Sequence, residues 1–270
     1  MRRQLLPLLV LVLAVFFSPC PDRACASPDR VSRILATGIF RVCIWPDYYG
    51  ISFRNPKTRQ LSGLDIDMAR ELARDLGPAV QIRFVDSSFA RLIEDVTTDR
   101  CDIAMFAIAI TPERMQKLRF TAPHLQSDIS AITTRSNHRI LQWTDIDRPG
   151  VVVAVAKGTL SESLMQQRLE HAHLAVLDPT LAPEQEVESG RVDVFMTDYP
   201  ESQRMLAHFD WARLVDPPAG SPRTPYAYAM APGEDRWHAR VERVVAAVKK
   251  DGRLMQSARR YRFEAMVQSD

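Results

Sequence analysis

The sequence predicts an α/β protein of two small doubly wound domains, and three observations carry that reading. Apolar runs of strand length alternate with stretches of helical spacing along most of the 270 residues. The alternation comes in two sets: residues 128–134 read as an extended crossing between them, and the Pro- and Gly-rich stretch 217–225 is placed to bring the chain back. The length is also enough for two domains of modest size, each with its own core.

In the first set, 31–38 reads as a short helix and 40–44 as a buried strand ended by Pro46. Leu64, Met68, Ala69, Leu72, Ala73 and Leu76 follow at helical spacing, and Gly77-Pro78 stops that helix. Residues 81–85 alternate as a strand, 89–97 are amphipathic, and 101–110 form a continuous apolar run. In the second set, 151–156 is a valine-rich strand, Lys157-Gly158-Thr159 a tight turn and 161–169 a helix. A strand at 174–177, a polar helix at 183–189 and a strand at 192–196 complete it. A helix from Asp235 runs to Asp251-Gly252, and 254–261 adds another. Regular alternation of strand and helix predicts parallel sheets.

Composition excludes several classes of function. Thirty-five Lys plus Arg against 33 Asp plus Glu leaves no charge excess to draw the chain onto nucleic acid. The longest apolar run, 5–17, falls short of the roughly twenty residues of a spanning helix. Placed between Met1-Arg2-Arg3 and Ala24-Cys25-Ala26-Ser27, it reads instead as a secretory signal peptide, residues 1–26, cleaved after Ala26. Neither Cys20 nor Cys25 sits in a good lipobox, so a soluble exported protein is expected. Cleavage removes three basic residues and one acidic residue, and leaves a formally neutral chain. Cys43 and Cys101 remain in a compartment that permits disulfides. Buried free thiols are the plainer reading, and a Cys43–Cys101 disulfide is the alternative. No metal or cofactor motif is present: there is no P-loop, GxGxxG, GxSxG or HExxH, and His171-Ala-His173 is a solvated pair.

Three strand ends carry residues that together suit a zwitterion. Thr111-Pro112-Glu113-Arg114 reads as a capped helix start at a strand's carboxyl end, which puts the five-donor fork of Arg114 where open α/β sheets bind ligands. Thr159, after Gly158 at a helix start, offers a hydroxyl and nearby backbone N–H groups to the same anion. Asp198, ending an apolar strand, offers a carboxylate to an ammonium group. Taken singly, each suits a surface ion pair or a plain N-cap equally well. Trp45, Tyr48 and Tyr49 follow the first strand as a possible aromatic wall, with Trp45 and Tyr49 taken as binding residues.

These features resemble the family-3 periplasmic solute-binding proteins of ABC importers for polar amino acids. The resemblance runs through Gly63-Leu64-Asp65-Ile66-Asp67-Met68-Ala69, Cys101-Asp102-Ile103-Ala104, Ile110-Thr111-Pro112-Glu113-Arg114 and Phe120-Thr121-Ala122-Pro123-His124, to Tyr261-Arg262-Phe263. It implies a type II two-lobed periplasmic-binding-protein fold joined by a hinge, with lobe 1 at 27–130 plus 224–270 and lobe 2 at 131–223. It also implies a periplasmic monomer that delivers an amino acid or similar carboxylate to an inner-membrane ABC permease. By resemblance Arg114 clamps the carboxylate, Gly158-Thr159 adds donors and Asp198 takes the ammonium. Ala107 and Ala109 stand where the family often has Ser, Thr or Gly, which leaves the ligand open.

Thr197-Asp198-Tyr199-Pro200-Glu201 also resembles the periplasmic cyclohexadienyl dehydratases, enzymes on the same fold. There Glu201 would match a catalytic acid, because a carboxyl desolvated in a closed cleft keeps its proton for a leaving hydroxide. Otherwise it is a first-turn residue favoured by the helix dipole. An exported sensory subunit that has lost transport is the third reading, motivated by Phe106, Ala107 and Ala109.

Overall fold

The computed structural model describes residues 29–268; the expected signal peptide, with Cys20 and Cys25, lies outside them. The Asp29 carboxylate accepts from the Ser32 N–H and starts α1 (Arg30–Thr37), and Gly38, at φ 66°, turns the chain into β1 (Ile39–Ile44). Three short strands, β2 (Asp47–Tyr48), β3 (Ser52–Arg54) and β4 (Leu61–Ser62), form a separate antiparallel sheet. Helix α2 (Leu64–Leu76) buries Leu64, Met68, Leu72 and Leu76 as the spacing predicts, and Gly77 ends it before β5 (Gln81–Asp86). A turn at Phe89–Arg91 and α3 (Leu92–Thr97) lead to β6 (Ile103–Ala109), buried at every position. The single turn α4 (Pro112–Met115), β7 (Arg119–Phe120) and β8 (Leu125–Ser127) follow.

Asp128 alone separates β8 from β9 (Ile129–Thr134), which belongs to a second sheet. That sheet is built with β10 (Val152–Ala156), α5 (Leu160–Arg168), β11 (His173–Leu177), α6 (Pro183–Glu188), β12 (Val194–Asp198), α7 (Tyr199–His208) and β13 (Ala212–Val215). The chain then returns, and β14 (Thr224–Met230) joins the first sheet. Helices α8 (Asp235–Lys250) and α9 (Arg253–Tyr261) pack against α2, and the fully buried Trp237 near the start of α8 meets Phe40 edge to face. Arg223 and Asp128, one from each crossing between the sheets, form an ion pair at 3.2 Å.

The sheets are mixed, not parallel as the alternation predicts. Strand order is β5-β1-β6-β14-β7 in one and β11-β10-β12-β9-β13 in the other. The first three strands of each are parallel, but β14 opposes β6 and β9 opposes β12. Both dissenting strands enter from the other lobe, without the crossover helix that enforces the parallel sense. The second sheet is buried on both faces, Val153, Val155 and Val194 toward one and Ala154 and Phe195 toward the other.

Cys43, inside β1, and Cys101, two residues before β6, form a disulfide with Cα atoms 5.6 Å apart. The plainer reading of free thiols is thereby corrected: β1 and β6 are hydrogen-bonded neighbours, a proximity set by the sheet and not by local sequence. A cross-link over 58 residues restricts the unfolded chain by about 4 kcal/mol on the loop-entropy model. The Cys43→Ala/Cys101→Ala double variant should therefore lose stability of that order in guanidinium unfolding; an unchanged midpoint would show that the bond does not constrain the mature chain.

Candidate functional site

A cleft of about 390 Å³ lies between the lobes, at the carboxyl ends of β1, β6, β10 and β12, as the strand-end rule for open α/β sheets requires. Arg114 sits in it because Thr111 accepts the Arg114 N–H and Pro112 fills the first helical position, which turns the chain sharply after β6. Its guanidinium is buried against the Phe89 ring, 5.6 Å from the centroid. Nη1 donates to the Ala109 carbonyl at 2.9 Å and Nη2 to the Gly158 carbonyl of the other lobe at 3.0 Å. Among the described residues no carboxylate forms an ion pair with it. Burial alone pushes Arg114 down to about 10.

Gly158 and Thr159 meet Arg114 across the cleft. Gly158, at φ 77°, brings its backbone so close to the first lobe that an added Cβ would lie 2.4 Å from the Ala90 nitrogen. The Thr159 hydroxyl donates to the Ala156 carbonyl at 2.6 Å, so toward a ligand it offers lone pairs, not the proton that sequence reasoning assigned it. Donors on this side come instead from the first turn of α5, where Leu160 and Ser161 line the cleft.

Asp198 caps α7 by accepting the Glu201 N–H at 3.3 Å, and its other oxygen accepts the hydroxyls of Tyr48 and, at 3.1 Å, Tyr226. Burial raises the Asp198 carboxyl, and those hydrogen bonds oppose the rise. Tyr48 and Tyr226 belong to the first lobe and Asp198 to the second, so these bonds hold the lobes together.

Trp45 lines the cleft beside Tyr48, whereas Tyr49 does not. Tyr49, in the turn after β2, packs on Phe53 and on His208 and is 39% exposed. Ala107 and Ala109 line the cleft floor; Ala107 is held at φ 48° with its N–H on the buried Asp65 carboxylate at 2.7 Å. Sequence reasoning missed Phe89, Tyr226, Glu184 and Arg204, all of which reach the cleft. Two carried a local signal: Phe89 follows a strand's carboxyl end as Arg114 does, and Arg204 stands at helical i, i+3 spacing from Glu201.

Glu201 lies in the first turn of α7 and faces the cleft, 9% exposed. Burial pushes its carboxyl up to about 6, against the pull of Arg204, whose Nε and Nη2 donate to it at 2.6–3.0 Å.

The closeness of the lobes rests on Gly158. In Gly158→Ala the added carbon meets main chain that cannot swing away, and the residue is strained at positive φ. Small-angle scattering should show this variant more open than the wild type; superimposable curves would mean the lobes do not close through this turn.

Comparison with known proteins places the chain. Cyclohexadienyl dehydratase of Pseudomonas aeruginosa is 34% identical over 179 residues, 66% of this chain and 66% of that enzyme, so the match spans about two thirds of the enzyme's length. The crystal structure of the ancestral amino acid-binding protein AncCDT-1, described as a precursor of cyclohexadienyl dehydratase, superimposes with a TM-score of 0.78 at 28% identity, covering 87% of this chain and 99% of that one. The amino acid ABC transporter substrate-binding protein AbpA of Streptococcus pneumoniae, bound to L-arginine, shares the fold at a TM-score of 0.78 and 21% identity, covering 88% and 99%. The family model matches residues 40–265, and the chain belongs to the bacterial extracellular solute-binding proteins, family 3.

Proposed function

We propose that this chain captures a small carboxylate, an amino acid or a close analogue, between its lobes and delivers it as a periplasmic monomer to an inner-membrane ABC permease. The observation that carries the reading is Arg114, a buried guanidinium in the cleft with two carbonyls for partners and, among the described residues, no ion pair. A buried cation is costly unless paired, and a ligand carboxylate supplies the missing charge in a two-point geometry that a guanidinium suits. Asp198 then receives the ammonium of an amino acid, exchanging a tyrosine hydroxyl for it. In this reading the lobes expected at 27–130 plus 224–270 and 131–223 divide two residues earlier at the first crossing, because β9 from Ile129 belongs to the second sheet, and they close about the crossings that Arg223 and Asp128 tie together. Contacts from both lobes to one ligand exist only in the closed form, so binding shifts the population toward it. The amino-acid-binding character of AncCDT-1 supports this reading.

Hydrogen bonds to charged groups contribute about 1.5–3 kcal/mol each, and about 1.4 kcal/mol is a decade of affinity. Arg114→Met should thus weaken ligand binding about tenfold to a hundredfold in isothermal titration. Unchanged affinity would remove Arg114 from the site.

A second reading is favoured by one observation, the raised carboxyl of Glu201, together with the likeness to the dehydratase. A carboxyl at about 6 keeps part of its population protonated near neutral pH and can deliver that proton to a departing hydroxide. If the chain turns over prephenate or arogenate, Glu201→Gln should abolish turnover and leave binding intact, and the wild-type rate should fall as pH rises through about 6. Ligand returned unaltered by the wild-type chain excludes this reading.

A further inference from the structure

The lobe-2 wall of the cleft contains an acidic subsite that is already filled. Glu184, in the first turn of α6, and Glu201, in the first turn of α7, converge on one guanidinium, that of Arg204. Arg204 donates to both oxygens of Glu201, and its Nη2 also reaches Glu184 at 3.1 Å. The Phe209 ring, 5.7 Å away, covers the group from one side. All three residues line the cleft. Of the other acids there, Asp178 is paired with Lys157 at 3.1 Å, Asp198 with two tyrosine hydroxyls, and Asp47 stands exposed in β2 at the edge of the cleft. The remaining wall is largely apolar and aromatic, with Trp45, Phe53, Phe89, Leu177, Leu181 and Phe195.

We propose that Arg204 is a specificity-determining residue: a built-in guanidinium that occupies the Glu184–Glu201 subsite, so the cleft accepts carboxylates with a neutral, apolar or aromatic side chain and rejects arginine and lysine. The inference rests on the reading of the cleft as a carboxylate site and names the ligand class within it. A cationic side chain entering this cleft would meet a guanidinium already seated on Glu201 and Glu184, whereas an apolar one finds matching surface. Exclusion here is repulsive, and removing one side chain should relieve it.

The test is isothermal titration of the refolded chain with L-arginine, L-lysine, L-phenylalanine and L-leucine, repeated on Arg204→Met and Arg204→Gln. The wild type should bind phenylalanine or leucine at least about tenfold more tightly than arginine. Either variant should gain about tenfold or more for arginine, with less change for the neutral ligands. A wild type that binds arginine best, or folded variants that bind neutral ligands normally without gaining arginine, would overturn the role of Arg204 and leave the carboxylate reading standing. If neither variant folds, the wild-type ranking decides alone. Failure of the wild type to bind any of the four overturns the assignment of ligand class, and loss of the Arg114→Met effect on every carboxylate tested marks failure of the underlying reading.

Discussion

The organisation of the cleft depends on a buried positive charge held by main-chain oxygens. Arg114 bonds one carbonyl from each lobe and meets the face of Phe89. Neutral carbonyls satisfy donors but do not cancel charge, so the group stays electrostatically hungry in a low-dielectric gap. Everything that places it there is local and cheap: the end of a fully buried strand, a threonine cap, and a proline at the first helical position. The same economy brings Gly158 within reach, because only a residue without a Cβ approaches Ala90 so closely.

Closure is thus written into complementary demands of the two lobes. The first supplies a cation and two phenolic hydroxyls; the second supplies a carbonyl and a half-buried carboxylate. These groups serve one another across the cleft, and in the proposed function a zwitterion exchanges with them. Arg204 shows the opposite arrangement, a cation already answered by two carboxylates, Glu184 and Glu201. On the proposed reading, the contrast between an unanswered charge and an answered one separates the group that recruits a ligand from the one that selects its side chain.

Much of this was legible in the chain. Caps and periodicity placed α2, α8, β6 and the Thr111-Pro112 turn, and strand-end reasoning singled out Arg114, Thr159 and Asp198, which line the cleft, and Gly158, whose carbonyl Arg114 reaches. What escaped depends on contacts between distant segments. The sense of β9 and β14 follows from the lobe they come from, not from their residues. The Cys43–Cys101 bond follows from strand neighbours. Tyr48 and Tyr49 differ by one position and face different surroundings, and the Thr159 proton is lost to a turn carbonyl. Arg204 and Glu201 are visible as a helical i, i+3 pair, but Glu184 joins them only through the packing of α6 on the same wall.

The most direct measurement is a crystal structure of the chain with a bound amino acid or keto-acid analogue. The account predicts a ligand carboxylate oxygen about 2.8 Å from the Arg114 guanidinium. A bound ligand whose carboxylate lies elsewhere, with Arg114 still on the Ala109 and Gly158 carbonyls alone, would contradict it.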